Sequence, residues 1–327
     1  MISLFDRVYG GLLGGLIGDA MGAPVEGWEY AEIEAKHGWI DTLEGTGTDD
    51  SAVKLIICRA LLKHGGHITA DELAESFLEN RQYYDLFFIP VRNMFHKLEE
   101  KLCLPVDAGY GNMQSSSSAM AISPMGLMNA CDPRRASMEA YEVAGLVHSG
   151  PTAFCRDGAS AMSAAVAQAM IPGATVNEII EAASKYLHPR SSHVMLGRIR
   201  EVMALARDVN DYEAFREAFY RKHLCSVICD SRETIPLTLA LLYLSGGDPA
   251  VAIPYAANFG RDSDTVASMA GAISGAYRGV AGLKREWVAK IEASGDEQRA
   301  LAEQLTELIM LRANEEKRRS ELVLSMV

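Results

Sequence analysis

Aromatic residues make up only 7% of the 327 positions, and positive charge is scarce: 31 Lys and Arg stand against 43 Asp and Glu. The resulting formal net charge of −12 argues against a nucleic-acid or anionic-membrane surface, since both reward basic patches. No uninterrupted apolar run reaches the ~18 residues that a membrane-spanning helix needs. The opening MISLFDRVYG carries Asp6 and has no basic lead-in, so no signal peptide is expected. Six cysteines form no CxxC pair, and Cys225 and Cys229, four apart, are expected as free thiols on a helix. These absences together suggest a cytoplasmic, reduced protein. The eight histidines contain no HExxH or similar set, which removes the usual sequence basis for zinc chemistry. Alternating strand patterns are scarce, and no low-complexity linker divides the chain.

What is present is helical periodicity. Hydrophobic residues reach 49% with 23% charged, enough for a sizeable core. Val53, Leu55, Ile56, Ile57, Leu61 and Leu62 recur at helical spacing before Gly65-Gly66 stops the run. Similar patterns predict helices over 70–80, 135–147, 157–171, 176–187, 194–207, 236–245, 264–281 and 296–313. Thr69 followed by Glu72 reads as a capping box. The expectation is one compact all-α domain over 1–313 with ten or more helices, followed by a charged tail, 314–327, that frays. Two glycine stripes stand out. Gly10, Gly14, Gly18 and Gly22 fall four apart, as do Ala267, Gly271, Gly275 and Gly279, and each stripe permits close backbone approach deep in a bundle.

Two acidic clusters carry the chemistry, Thr48-Asp49-Asp50-Ser51 and Asp262-Ser263-Asp264-Thr265. Each follows a Gly-containing loop and precedes a helical stretch. Asp, Ser and Thr in such places are ordinary helix caps, and acidic first turns complement the helix dipole. Capping needs one carboxylate, however, and adjacent buried carboxylates stay ionised only with a cation between them. Brought together, about four carboxylates form a hard-oxygen set suited to two Mg²⁺ or Mn²⁺ ions.

These motifs in this order resemble the ADP-ribosylglycohydrolase family. The likeness covers roughly residues 5–285 and includes GGLLGGLIGDAMGAPVEG, GTGTDDS, the Ser-rich loop ending SAMAISPMG, a central VHSGP and NFGRDSDTVASMAGAISGA. The resemblance implies an orthogonal multi-helix bundle holding two divalent cations, with Thr48, Asp49, Asp50, Asp262, Asp264 and Thr265 as their ligands. It implies cleavage of a glycosidic bond at the ribose anomeric carbon of an ADP-ribosylated protein side chain or small ADP-ribosyl compound. Glu26 matches a glutamate beside the substrate, and with Asp49 and Asp50 is a candidate catalytic group. Asp19 matches an aspartate expected to brace the site, and His148 a histidine near bound ADP-ribose. The departure lies in the loop that cradles the diphosphate: members commonly carry Gly-Asn-Gly-x-Ala-Met-Arg, whereas this chain has Ser115-Ser116-Ser117-Ser118-Ala119-Met120-Ala121. Serine hydroxyls and N–H groups at a helix start also bind phosphate, so Ser115, Ser116, Ser117 and Ser118 join His148 as candidate substrate-binding residues.

Three rival readings remain. The altered loop makes a smaller ribosyl substrate, such as a nucleoside cleaved at its N-glycosidic bond, the serious competitor. A decayed, crystallin-like binding relative is opposed by retention of all six oxygen ligands. A haloacid-dehalogenase-type phosphatase needs its acidic motif after an apolar strand near the start of an α/β fold. The oligomeric state is open.

Overall fold

In the computed structural model, residues 2–44, 47–295 and 297–326 are described, so Met1, Gly45 and Thr46 of the GTGTDD motif, Asp296 and Val327 lie outside the described residues. Sixteen α-helices, with short 3₁₀ turns between several of them, account for the regular structure of those residues; the only β pairing among them is two isolated bridges. In chain order they are α1 (Leu4–Gly22), α2 (Tyr30–His37), α3 (Asp49–Lys63), α4 (Ala70–Glu79), α5 (Ile89–Glu99) and α6 (Ser123–Met128). The middle of the chain forms α7 (Pro133–Ala144), α8 (Phe154–Ala169), α9 (Val176–Lys185), α10 (His193–Val209) and α11 (Tyr212–Lys222). The last third forms α12 (Ser231–Leu244), α13 (Pro249–Ala257), α14 (Ser263–Arg278), α15 (Arg285–Ala293) and α16 (Gln298–Leu324).

The centre is the antiparallel pair α1 and α14. From Arg7 to Gly22 every residue of α1 is buried, as is α14 from Ser263 to Ala276. The glycine stripes are the reason the two backbones lie so close. A methyl group added at Gly14 would fall on the Gly271 carbonyl, one at Gly18 on the Ala267 carbonyl, and one at Gly22 on Ser263. The fourth member of the second stripe behaves differently: Gly279 lies past the helix end at φ 70°, a cap conformation that favours glycine. This pairing brings the end of α1 to the start of α14, and so places the Glu26 loop beside the second acidic cluster.

Several helices begin where side chains satisfy their first N–H groups. Thr69 and Glu72 form the reciprocal capping box expected of α4, and Thr175 with Glu178 does the same for α9. α12 opens at Ser231, five residues before its expected start. The Asp230 side chain caps it, and Pro236 sits inside the helix. The Arg232 carbonyl that proline leaves without its helical donor instead accepts from Arg198 Nε at 3.0 Å. Cys225 and Cys229 are free thiols, but they lie on the loop between α11 and α12 rather than on a helix. The expected C-terminal tail is helical through Leu324 within α16 and exposed from Ala313 onward.

Candidate active site

The two acidic clusters, more than two hundred residues apart in sequence, meet at the floor of one cleft of about 520 Å³. Thr48, Asp49, Asp50, Asp262, Asp264 and Thr265 all line it, together with Glu26, Ser116 and Ser117. The contacts between the clusters are reciprocal. Thr265 Oγ1 donates to Asp50 Oδ2 at 3.2 Å, and Thr48 Oγ1 donates to Asp264 Oδ2 at 3.4 Å.

Capping does not account for these carboxylates. The Asp50 N–H at the start of α3 is held by Thr48 Oγ1, and Asp262 makes no side-chain cap bond to α14. Asp49 Oδ2 instead accepts from the Phe88 N–H at 2.9 Å, which ties the cleft rim to its floor. The buried oxygens Asp50 Oδ1 and Asp264 Oδ1 have no hydrogen-bond partner. Oxygens of Glu26, Asp262 and Asp264 lie within 4.8 Å of one another. Unpaired, buried carboxylate oxygens lining one cleft are the donor type of a hard divalent cation, so the residues present fit such a cation.

Electrostatics agree with that fit. Burial, and then the charges of neighbouring carboxylates, push Asp50 and Asp264 well above the ordinary carboxylate range. Asp262 is raised to about 7 by burial, against the opposing hydrogen bond from Ser116 Oγ. Asp49 is raised to about 6, again chiefly by burial, with the Phe88 N–H pulling the other way. Glu26 is raised by burial of its carboxylate and by the charge of Asp19.

Asp19 holds the first cluster in place. Fully buried on α1, it accepts from the Thr48 N–H at 2.9 and 3.0 Å, the Ser51 N–H at 3.0 Å and the Ser51 hydroxyl. It thereby pins the start of α3 to α1. It does not line the cleft.

The serine run divides. Ser116 and Ser117 face the cleft, and Ser116 Oγ donates to Asp262 Oδ2 at 3.0 Å. Ser115, Ser118 and His148, the other residues expected to bind substrate, are not among those that line it. His148 is fully buried, its Nδ1 2.9 Å from Ser118 Oγ and its Nε2 3.1 Å from Ser115 Oγ. Burial lowers its pKa to about 4, so the ring is neutral near pH 7 and knots the loop from beneath. A run of turns, not a helix, follows the serines, and α6 begins only at Ser123.

The rest of the cleft has no motif to announce it. Leu86, Phe88 and Ile89 form an exposed apolar lip with Arg92 beside it, and Ile228 and Cys229 complete a wall. The only sequence signal for the lip is the apolar run Leu86-Phe87-Phe88-Ile89 itself.

A sequence profile described as ADP-ribosylglycohydrolase matches residues 1–315. Among curated proteins, the uncharacterized protein YegU of Escherichia coli (strain K12) is 26% identical over 313 residues, 88% of this chain and 92% of that protein. A solved structure of an ADP-ribosylglycohydrolase-related protein complex superposes with a TM-score of 0.71 at 20% identity, covering 94% of this chain and all of that one. At that identity the structural likeness speaks for the fold. Among the described residues, no helix is long and apolar enough to cross a membrane.

Proposed function

The chain belongs to the ADP-ribosylglycohydrolase family, hydrolases that act on glycosidic bonds, and on that premise we propose that it uses two divalent cations, Mg²⁺ or Mn²⁺, to cleave a glycosidic bond at the ribose anomeric carbon of an ADP-ribosylated substrate. The observation that carries this reading is the convergence of Asp49, Asp50, Asp262 and Asp264 in one cleft, with Asp50 Oδ1 and Asp264 Oδ1 buried and unpaired. Those four aspartates, with Thr48 and Thr265, would hold the ions, which when bound supply charge compensation and polarise a ribose hydroxyl. Glu26 is the candidate base: it lines the same cleft, with a carboxylate oxygen within 4.8 Å of those of Asp262 and Asp264, where it could accept a proton from an attacking water. Water then adds at the anomeric carbon through an oxocarbenium-like transition state while the bond to the leaving group breaks. The apolar lip of Leu86, Phe88 and Ile89 offers a surface for a nucleobase, and Arg92 a charge for the diphosphate.

One observation favours a second reading. Only two of the four serines face the cleft, which leaves fewer donors for a diphosphate and suits a smaller ribosyl compound or nucleoside. A panel of ADP-ribosyl-arginine, ADP-ribosyl-serine, O-acetyl-ADP-ribose and free nucleosides, assayed with Mg²⁺ and with Mn²⁺, tests both. Release of ADP-ribose from at least one of the first three is expected. Turnover of nucleosides alone would overturn the first reading in favour of the second, and no turnover of any would return the decayed-relative reading.

A further inference from the structure

Arg261, immediately before Asp262, holds a conformation that L-residues rarely adopt, with φ at 64°. Its backbone is stitched to the residues after Glu26: its N–H donates to the Trp28 carbonyl at 2.7 Å, and its carbonyl accepts from the Gly27 N–H at 2.8 Å. Its guanidinium makes a two-pronged pair with Glu233, Nε to Oε1 and Nη2 to Oε2, both at 2.9 Å. Nη2 also donates to the Cys225 carbonyl at 2.6 Å, while the Cys225 N–H donates to Glu233 Oε2 at 2.5 Å. The Glu233 side chain is 1% exposed and that of Arg261 14%.

From Cys225 the contacts return to the site. The same loop carries Ile228 and Cys229 to the cleft wall, and the Cys229 carbonyl accepts from the Ser116 N–H at 2.6 Å. Ser116 Oγ then donates to Asp262 Oδ2, one residue from Arg261. A closed ring of bonds therefore surrounds Asp262, with the Glu26 loop attached to it. Neither Arg261 nor Glu233 lines the cleft. A buried ion pair of this kind contributes little net stability against an apolar replacement, because desolvation offsets its attraction. Glycine at position 261 would also take the observed φ more easily. Stability alone explains neither residue.

We propose that Arg261 and Glu233 are positioning residues: their fork sets the spacing between Glu26 and Asp262 and thereby the affinity of the cleft for divalent cations. The inference rests on the cation reading of the cleft. Its test is Mn²⁺ titration of EDTA-stripped protein, followed by the electron paramagnetic resonance signal of free Mn²⁺, with apo melting temperature and circular dichroism in parallel. Arg261→Gly removes the fork and keeps the backbone angle but leaves the buried Glu233 carboxylate unpaired, so its apo melting temperature is expected to fall, and the titration is run well below that temperature on protein whose circular dichroism matches wild type. Mn²⁺ affinity is expected to fall about 10- to 100-fold, as for other residues that orient metal ligands. Glu233→Gln should give the same loss, and the double variant no more than either single change, since the two act as one unit. Arg261→Lys keeps the charge without the fork and should remain impaired. Wild-type Mn²⁺ affinity in Arg261→Gly would overturn the strut alone, whereas absence of Mn²⁺ uptake by the wild type would overturn both the strut and the cation reading. If Arg261→Gly does not fold, Glu233→Gln decides the question by the same titration.

Discussion

Replacing Asp262 by Asn should stabilise the cation-free protein, and by an amount that depends on pH. The carboxyl group is 3% exposed, and its pKa rises from 3.8 to about 7 on burial. A raised carboxylate pKa means that the folded state binds the proton more tightly than the unfolded chain. Its contribution to stability is therefore complete below pH 3.8 and is lost as pH rises through about 7. Each pH unit across that interval is worth 1.36 kcal/mol, or about 4 kcal/mol in all. Asn carries no such charge. In EDTA, the advantage of Asp262→Asn over wild type should grow by about 3 kcal/mol between pH 5 and pH 8. Urea unfolding at intervals of half a pH unit measures it directly. Saturating Mn²⁺ should reverse the order at pH 8, because the wild type then gains binding energy that the variant lacks. A difference that stays constant from pH 5 to 8, or a variant less stable than wild type at pH 8 in EDTA, would refute the argument that an uncompensated buried charge resides at this position.

Exhaustive chelation should abolish glycohydrolase activity, and a hundredfold excess of Mg²⁺ over its Kd should restore it with about 2.7 kcal/mol of added stability, read as a higher melting temperature. Replacing both Ser116 and Ser117 by Ala should weaken ADP-ribose binding roughly tenfold or more and leave nucleoside binding unchanged in calorimetric titration; equal ADP-ribose affinity would show that the loop does not hold phosphate. His148→Ala removes one hydrogen bond from each of two buried serine hydroxyls and empties the space of the buried ring, so it should cost about 1–3 kcal/mol in urea unfolding. Gly18→Ala should lower the melting temperature sharply, since the new methyl would meet the Ala267 backbone. Gly197→Ala on α10, where a methyl meets nothing within 4 Å, should stabilise by up to about 1 kcal/mol.

Among the helices whose ends the sequence places best are three whose burial is one-sided. α4, α9 and α10 keep a regular apolar stripe and were placed to within two residues at either end. α5 and α11 have apolar stripes comparable to that of α10 on less apolar helices, and α13 contains Pro254 within it; the sequence reading does not single these three out. Contact with the rest of the bundle supplies what their sequence understates.

At the site, the chain by itself settled which residue types would meet: paired carboxylates with hydroxyls, a chemistry written in adjacent positions. The glycine spacing likewise signals close backbone packing of both helices, because only glycine leaves room for a carbonyl at that distance; that the two stripes face each other is decided by the fold. Direction was another matter. Four consecutive serines look alike in sequence, yet Ser116 and Ser117 turn to the cleft while Ser115 and Ser118 turn inward to His148. The apolar lip, the Cys229 wall and the Arg261–Glu233 fork also come from segments far apart along the chain. Which way a side chain faces depends on what packs behind it, and that partner is chosen only when the helices assemble.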